Sequence, residues 1–301
     1  MLSLERRLRG WTPIAFHGGH EAVIEWADLR DQSFDRPFFS QTLKARSAAS
    51  NDAIVQSGLS TLSSLDSEPS LDPDVIIAHP SRSGSTLLSL LTAAMHEQSV
   101  LVGEPEIVFQ LLQANLQRPL EAPDKALRQL IRALGRRRFG TEQRFVVKLS
   151  SRTSHFLALF RRAFPKTPIV WVQREPTEIV ESNLRRPRRA LAGLDPESVA
   201  RLALRDVSWA FLAATGFEDA NFHVVDYRNL PCAAWTRVAP LMQVQIGEDC
   251  LLRMHNVSRT HSHSGEPYLW RTPSPLPKNV QDIVSNTLDP LYEALARRAQ
   301  L

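Results

Sequence analysis

Only two cysteines, Cys232 and Cys250, occur in the 301 residues. They are too few for a disulfide framework, and two thiols alone do not make a zinc site, so both are expected to be free. No apolar stretch reaches the roughly 18 residues that a membrane span requires. The first residues, Met1 to Trp11, lack the long apolar core of a secretory leader. The expectation is a cytoplasmic protein with no membrane span. No repeat of fixed period runs along the chain. Neither a basic stripe interleaved with aromatics nor a helix-turn-helix pattern is present, so nucleic acid is not expected as a partner.

The composition that remains is that of a globular protein, 43% hydrophobic and 23% charged. Net charge is +4, with a pI near 9.4, and the basic residues cluster. Gly135 to Gly140 reads GRRRFG and Asn183 to Ala190 reads NLRRPRRA. Such runs are either solvated helix ends and loops or a surface that draws in a polyanion. Residues 1–45 are rich in aromatics, namely Trp11, Phe16, Trp26, Phe34, Phe38 and Phe39, and read as a packed extension or a docking element. From Ser47 to Asp74 the chain turns to Ser, Asp, Ala and Pro, and SSLDSEPSLDPD reads as a linker or surface loop. This divides the chain into an N-terminal extension and linker, 1–70, and an α/β domain, 71–301.

Beyond Asp74, short apolar runs alternate with helical patterns. DVIIAHP, RFVVKLS, TPIVWVQR and NFHVVDY read as strands. STLLSLLTAAMHE, EPEIVFQLLQANL, DKALRQLIRALGRRR, SHFLALFRRAF, PTEIVESNLRR and PESVARLALRDVSWAFLAAT read as helices, with a further helix at the C-terminal end. Apolar strands alternating with helices predict a mostly parallel central sheet covered by helices on both faces. Ligands of such sheets bind at the carboxyl ends of the strands.

His79 to Leu88, HPSRSGSTLL, leaves the first of these strands and enters a helix. A loop opening into a helix offers unpaired backbone N–H groups and the positive end of the helix dipole. Gly84 lets the backbone turn tightly. Ser83, Ser85 and Thr86 bring hydroxyls, and Arg82 a fixed cationic fork suited to oxyanions. The triphosphate-binding pattern GxxxxGK[ST] is absent, since no Lys follows the glycine and no glycine stands four residues before it.

This loop resembles the 5′-phosphosulfate loop of sulfotransferases that use 3′-phosphoadenosine-5′-phosphosulfate (PAPS), most of all their bacterial and tyrosylprotein branches. One extra residue, Ser81, stands between Pro80 and Arg82. Downstream, Arg174 ends a strand and Ser182 follows eight residues later. The resemblance implies that this pair clamps the 3′-phosphate of the nucleotide. The segment from Val224 to Pro231, VVDYRNLP, is similar to the family's stretch after the next strand, which places Tyr227 near the adenine. The likeness spans residues 73–231 and implies a P-loop nucleotide-kinase-like three-layer fold. The Arg-Lys-Gly nucleotide loop of the cytosolic branch is not found near the C-terminal end. Ser258, Arg259 and Arg271 lie in that region without matching it.

Sulfuryl transfer needs donor and acceptor in line, charge neutralised on the leaving group, and the acceptor proton removed. Arg82 and Lys148, the latter at the end of RFVVK, are the candidate cations, with Ser150 or Ser151 as possible hydroxyl donors. The resemblance to the tyrosylprotein branch implies Glu104, directly after Gly103, as general base. Glu106 and then His96 stand behind it. No metal is required. His255, His261 and His263 lack an acidic or Cys partner at helical spacing and read as part of a polar loop. The expected activity is transfer from PAPS to a hydroxyl, or an amine, of a small molecule, glycan or peptide. Its rivals are a Mg-ATP-dependent phosphotransferase on the same fold and a non-catalytic nucleotide-binding interaction protein.

Overall fold

Strands that are apolar on both faces need covering on both faces, and this requirement shapes the molecule. The computed structural model describes residues 7–19, 21–47, 53–186, 193–260 and 274–298. In chain order its elements are β1 (Thr12–His17), β2 (Val23–Ala27), α1 (Phe39–Ser47), β3 (Ile54–Gly58), α2 (Thr61–Ser64), β4 (Val75–Ala78), α3 (Ser85–Ala94), β5 (Ser99–Gly103), α4 (Glu106–Gln117), α5 (Pro123–Leu134), β6 (Arg144–Lys148), α6 (Leu157–Ala163), β7 (Ile169–Gln173), α7 (Pro176–Arg185), α8 (Pro196–Thr215), β8 (Phe222–Asp226), α9 (Ala239–Leu241), α10 (Glu248–Ser258), α11 (Lys278–Thr287) and α12 (Asp289–Arg298).

Every residue of β4 and β7 is buried. The two strands pair with each other at the centre of a five-stranded sheet of order β5-β6-β4-β7-β8. All four pairings are parallel, so the sheet is wholly rather than mostly parallel. The first strand of this unit therefore lies in the middle, the arrangement of P-loop nucleotide kinases. Alternate residues feed two cores. Ile77, Val146, Val170, Val172 and Val225 pack under α3, α9 and α10. Ile76, Val147, Ile169, Trp171 and Val224 pack with apolar residues of α4, α5, α6 and α8. Helices on two faces of one sheet give the expected three layers. Two helices after β7 carry their own start signals. α7 begins with a proline, and Glu175 accepts the Glu178 N–H at 3.0 Å. α8 is capped by Asp195, which accepts the Ser198 N–H at 2.9 Å.

The aromatic-rich start of the chain is a second sheet. β1, β2 and β3 pair antiparallel, and Phe16, Ile24 and Trp26 join the same apolar cluster as α4 and α5. The Trp26 Nε1–H donates to Ser57 at 2.8 Å, and the Phe16 N–H donates to Gln110 of α4 at 2.8 Å. Thus β3 and α2 lie within the stretch whose composition reads as a linker. Leu62 and Leu65 there are buried, and Asp66 and Asp72 both pair with Arg132.

In the GRRRFG run Arg136 and Arg138 point inward, while Arg137 and Phe139 are exposed. Arg136 is 4% exposed. It donates to the carbonyls of Trp11 at 2.6 Å and Leu8 at 3.4 Å, pairs with Glu68 at 3.1 Å, and lies over the Trp26 ring. Arg138 stacks 3.5 Å from the Phe34 centroid. These arginines tie the N-terminal sheet to the end of α5. Two further departures concern the periphery. SVLVG forms the edge strand β5, and His255 and Ser258 lie on α10 rather than in a loop. His261, His263 and Arg271 lie outside the described residues. No described helix is long and apolar enough to cross a membrane.

Candidate active site

Candidate residues stand at the carboxyl ends of all five strands of the parallel sheet. β4 stops at Ala78, and residues 79–84 turn into α3. Among the described residues only Arg82, Glu104 and Gln243 have positive φ without being glycine, at 65°, 50° and 54°. Two of the three are site residues singled out from the sequence. For an L-residue this conformation costs roughly 1–2 kcal/mol, and such strain gathers at functional sites. Gly84 follows at φ 90° as the N-cap of α3. Ser83 is fully buried, and its Oγ has no hydrogen-bond partner among the described residues. A bound oxyanion is one partner that this buried hydroxyl could take. Ser85 and Thr86, both buried, form the first turn of α3. The donor set of hydroxyls, helix N-terminus and guanidinium fits a phosphate-type oxyanion.

Three of the sequence candidates form one stack. The Tyr227 ring, after β8, lies against Gly84, where any β-carbon would overlap it. The Arg174 guanidinium, after β7, sits 4.4 Å from the centroid of the same ring. It also pairs with Glu178 one turn into α7. The residue before Tyr227, Asp226, is braced in turn. The Asp226 carboxylate takes hydrogen bonds from Tyr292 at 2.6 Å and Arg228 at 3.0 Å. Desolvation works against the Asp226 charge, but the bonds from Arg228 and Tyr292 outweigh it and hold its pKa below the usual carboxylate range. Arg82 reaches across the loop to the other end of α7, donating to the Arg186 carbonyl at 2.6 Å. Next to the loop, the Asn183 amide lies 3.4 Å from Ser81 Oγ. Ser182 precedes it, half-buried on the same helix.

The second grouping is Glu104 with Lys148. Gly103 and Lys148 are partners in the β5–β6 ladder. The Glu104 N–H donates to the Lys148 carbonyl at 2.8 Å, and the Lys148 ammonium pairs with the Glu104 carboxylate. Lys148 is fully buried while Glu104 is about a third exposed, so only the carboxylate meets solvent. Gly103 is required here because a side chain would overlap the Pro37 carbonyl. The adjoining Phe38 ring lies 4.9 Å from Lys148 Nζ. The aromatic N-terminal stretch thus touches the Glu104–Lys148 pair through Pro37 and Phe38. His79 was also missed. It is buried, with Nε2 3.8 Å from Glu104 Oε1. Burial first, and then the Lys148 charge, push its imidazole down to about 4.

Other candidates fall outside the pocket or are otherwise engaged. His96 lies at the amino end of β5, where its ring accepts the Gln98 N–H at 3.1 Å. A five-residue strand, roughly 17 Å long, separates it from the Glu104 edge. Glu106 is paired with Arg152 at 2.7 Å. Ser150 Oγ accepts the Thr153 N–H at 3.2 Å in the turn after β6. Among the described residues no group of His, Cys, Asp and Glu is arranged to hold a metal ion.

No protein-family model matches the chain, and no curated protein matches it either. Among solved structures it is similar to the sulfotransferase STF9 of Mycobacterium avium, with 14% identity over 74% of this chain and 77% of that one, and a TM-score of 0.49. It is similar to the sulfotransferase domain of the Synechococcus PCC 7002 olefin synthase, with 17% identity, 73% and 96% coverage and a TM-score of 0.43. It is also similar to mouse sulfotransferase SULT7A1 complexed with PAP, with 11% identity, 80% and 93% coverage and a TM-score of 0.46.

Proposed function

We propose that the chain is a sulfotransferase that moves a sulfuryl group from PAPS to a hydroxyl, or an amine, of an acceptor. The reading rests on one observation. The Arg82–Thr86 loop, the Arg174–Tyr227 stack and the Glu104–Lys148 pair share the carboxyl edge of one parallel sheet. PAPS supplies an activated sulfuryl group and leaves as adenosine 3′,5′-bisphosphate. Ser83, Ser85, Thr86 and the N–H groups around Gly84 would hold its 5′ end, with Arg82. Arg174 and Ser182 would hold the 3′-phosphate, with Tyr227 beside the base.

In this reading Glu104 removes the proton from the acceptor hydroxyl. The acceptor oxygen bonds to sulfur as the sulfur–oxygen bond to the phosphate breaks. At the start Lys148 pairs with the Glu104 carboxylate. Once the proton has moved to Glu104, the ammonium is released from that carboxylate and can stabilise charge on the departing phosphate. The acceptor, whether small molecule, glycan or peptide, enters beside Phe38 and Glu104.

Calorimetry with adenosine 3′,5′-bisphosphate, set against Mg-ATP, tests the proposal on wild type and Arg174→Ala. The expected result is bisphosphate binding that weakens about 10- to 100-fold in the variant, the worth of a charge-assisted contact. Binding of Mg-ATP alone would favour the phosphotransferase reading. Binding of neither would leave a non-catalytic module.

A further inference from the structure

We propose that His79 is a positioning residue of this site, tying the Glu104–Lys148 pair to the loop that precedes α3. The inference rests on the sulfotransferase reading and adds a member to the same site. His79 stands where β4 ends and the loop begins, and it is 4% exposed. Its ring spans three pieces of chain. Nδ1 is 2.8 Å from the Pro80 carbonyl, in the loop. Nε2 is 2.8 Å from the Leu149 carbonyl, at the end of β6, and 3.8 Å from the Glu104 carboxylate, after β5. The backbone N–H of His79 donates to Ser154 Oγ at 3.0 Å, and Ser154 in turn donates to the Ser150 carbonyl at 3.1 Å. The residue is therefore anchored from two sides.

The chain of contacts reaches the chemistry in two steps. Leu149 is covalently next to Lys148. Lys148 grips Glu104 twice, through its carbonyl and through its ammonium. Glu104 has left-handed backbone geometry, so its carboxylate direction depends on that grip. Without the imidazole, the buried Leu149 carbonyl loses its side-chain partner and a void opens under the pair. A neutral imidazole donates through one nitrogen only. Of the two carbonyls at 2.8 Å, only one can therefore receive the ring N–H at a time, while the ring packs against both. The nucleotide loop itself binds through its own hydroxyls and N–H groups and does not need this tie.

The test uses the full chain with PAPS and water as acceptor, following sulfate release, and calorimetry with adenosine 3′,5′-bisphosphate. His79→Leu is expected to lower turnover about 100-fold, the cost of misplacing reacting groups by about 1 Å. The bisphosphate Kd should stay within about threefold of wild type. His79→Gln, whose amide nitrogen falls near the Nε2 position, should recover about tenfold in turnover, and His79→Asn, which reaches only the Nδ1 position, should not. If His79→Leu fails to fold, the Gln and Asn variants carry the same comparison. Wild-type turnover in the Leu or Asn variant would overturn the inference, as would parallel loss of turnover and bisphosphate affinity in all three. A wild-type chain that binds no bisphosphate would sink the sulfotransferase reading and this inference with it. Binding and turnover by wild type, with His79 variants unaffected, would sink the inference alone.

Discussion

Gly84 combines two demands that no other residue meets. Its φ of 90° is unfavourable for any L-residue, and the Tyr227 ring occupies the place of a β-carbon. Gly84→Ala is expected to cost about 2 kcal/mol of stability in urea denaturation and to weaken bisphosphate binding about tenfold or more. Adding Tyr227→Ala should return part of the stability, because only the steric share of the cost is removed; strict additivity of the two losses would show that the ring does not press on the loop. His79 gives a second residue-scale prediction. Its imidazole is held down to about 4, whereas in the unfolded chain it titrates near about 6.5. Between those values the unfolded state binds the proton more readily. Its contribution is therefore complete above about pH 6.5 and is lost as pH falls toward about 4, up to about 3 kcal/mol. Urea denaturation at pH 7 and pH 5 should show a steeper loss for wild type than for His79→Gln; equal losses would contradict it.

At the scale of elements, the N-terminal sheet is held by the arginines that follow α5. Arg136 is buried with Glu68, two carbonyls and the Trp26 ring around it. Arg136→Ala leaves Glu68 and those carbonyls without their partner, an expected loss of about 3 kcal/mol. Thermal unfolding measures it. Bisphosphate affinity should be unchanged, since Arg136 belongs to no part of the pocket; a parallel loss of affinity would place the sheet in control of the loop.

Across the whole molecule, one apolar cluster runs from Trp26 of the antiparallel sheet through α4 and α5 to Trp171 of the parallel one. Elements that share a core open together. Calorimetry should therefore show a single transition with equal calorimetric and van't Hoff enthalpies. Two separated transitions would mean that the N-terminal sheet folds as its own unit. The N-terminal stretch also touches Gly103 and Lys148 through Pro37 and Phe38, so under the proposed function it would stand beside the acceptor.

Sequence alone determined the central layer and the edge of it at which most candidate residues stand. Strands such as VIIA and IVWV are apolar at every position, so only a sheet covered on both faces can hold them, and motifs that follow such strands must meet at one edge. That pattern puts Arg82, Gly84, Lys148, Arg174 and Tyr227 at or after strand ends, whereas Glu104 follows a strand the pattern did not show and was singled out by the resemblance alone. Other features depend on partners distant in the chain. β1, β2 and β3 are short strands whose pairing comes from one another, and IVQSG carries no signal of its own. Arg136 reads as surface because arginine is almost always exposed, and only the carbonyls of Leu8 and Trp11 with Glu68 make its burial tolerable. His79 is one histidine before a proline in the sequence. It is a bridge between three strand ends only because β5, β6 and β4 lie side by side. Local pattern decides which segments are strands and helices, but the side chains that brace a site are chosen by neighbours that only folding brings together.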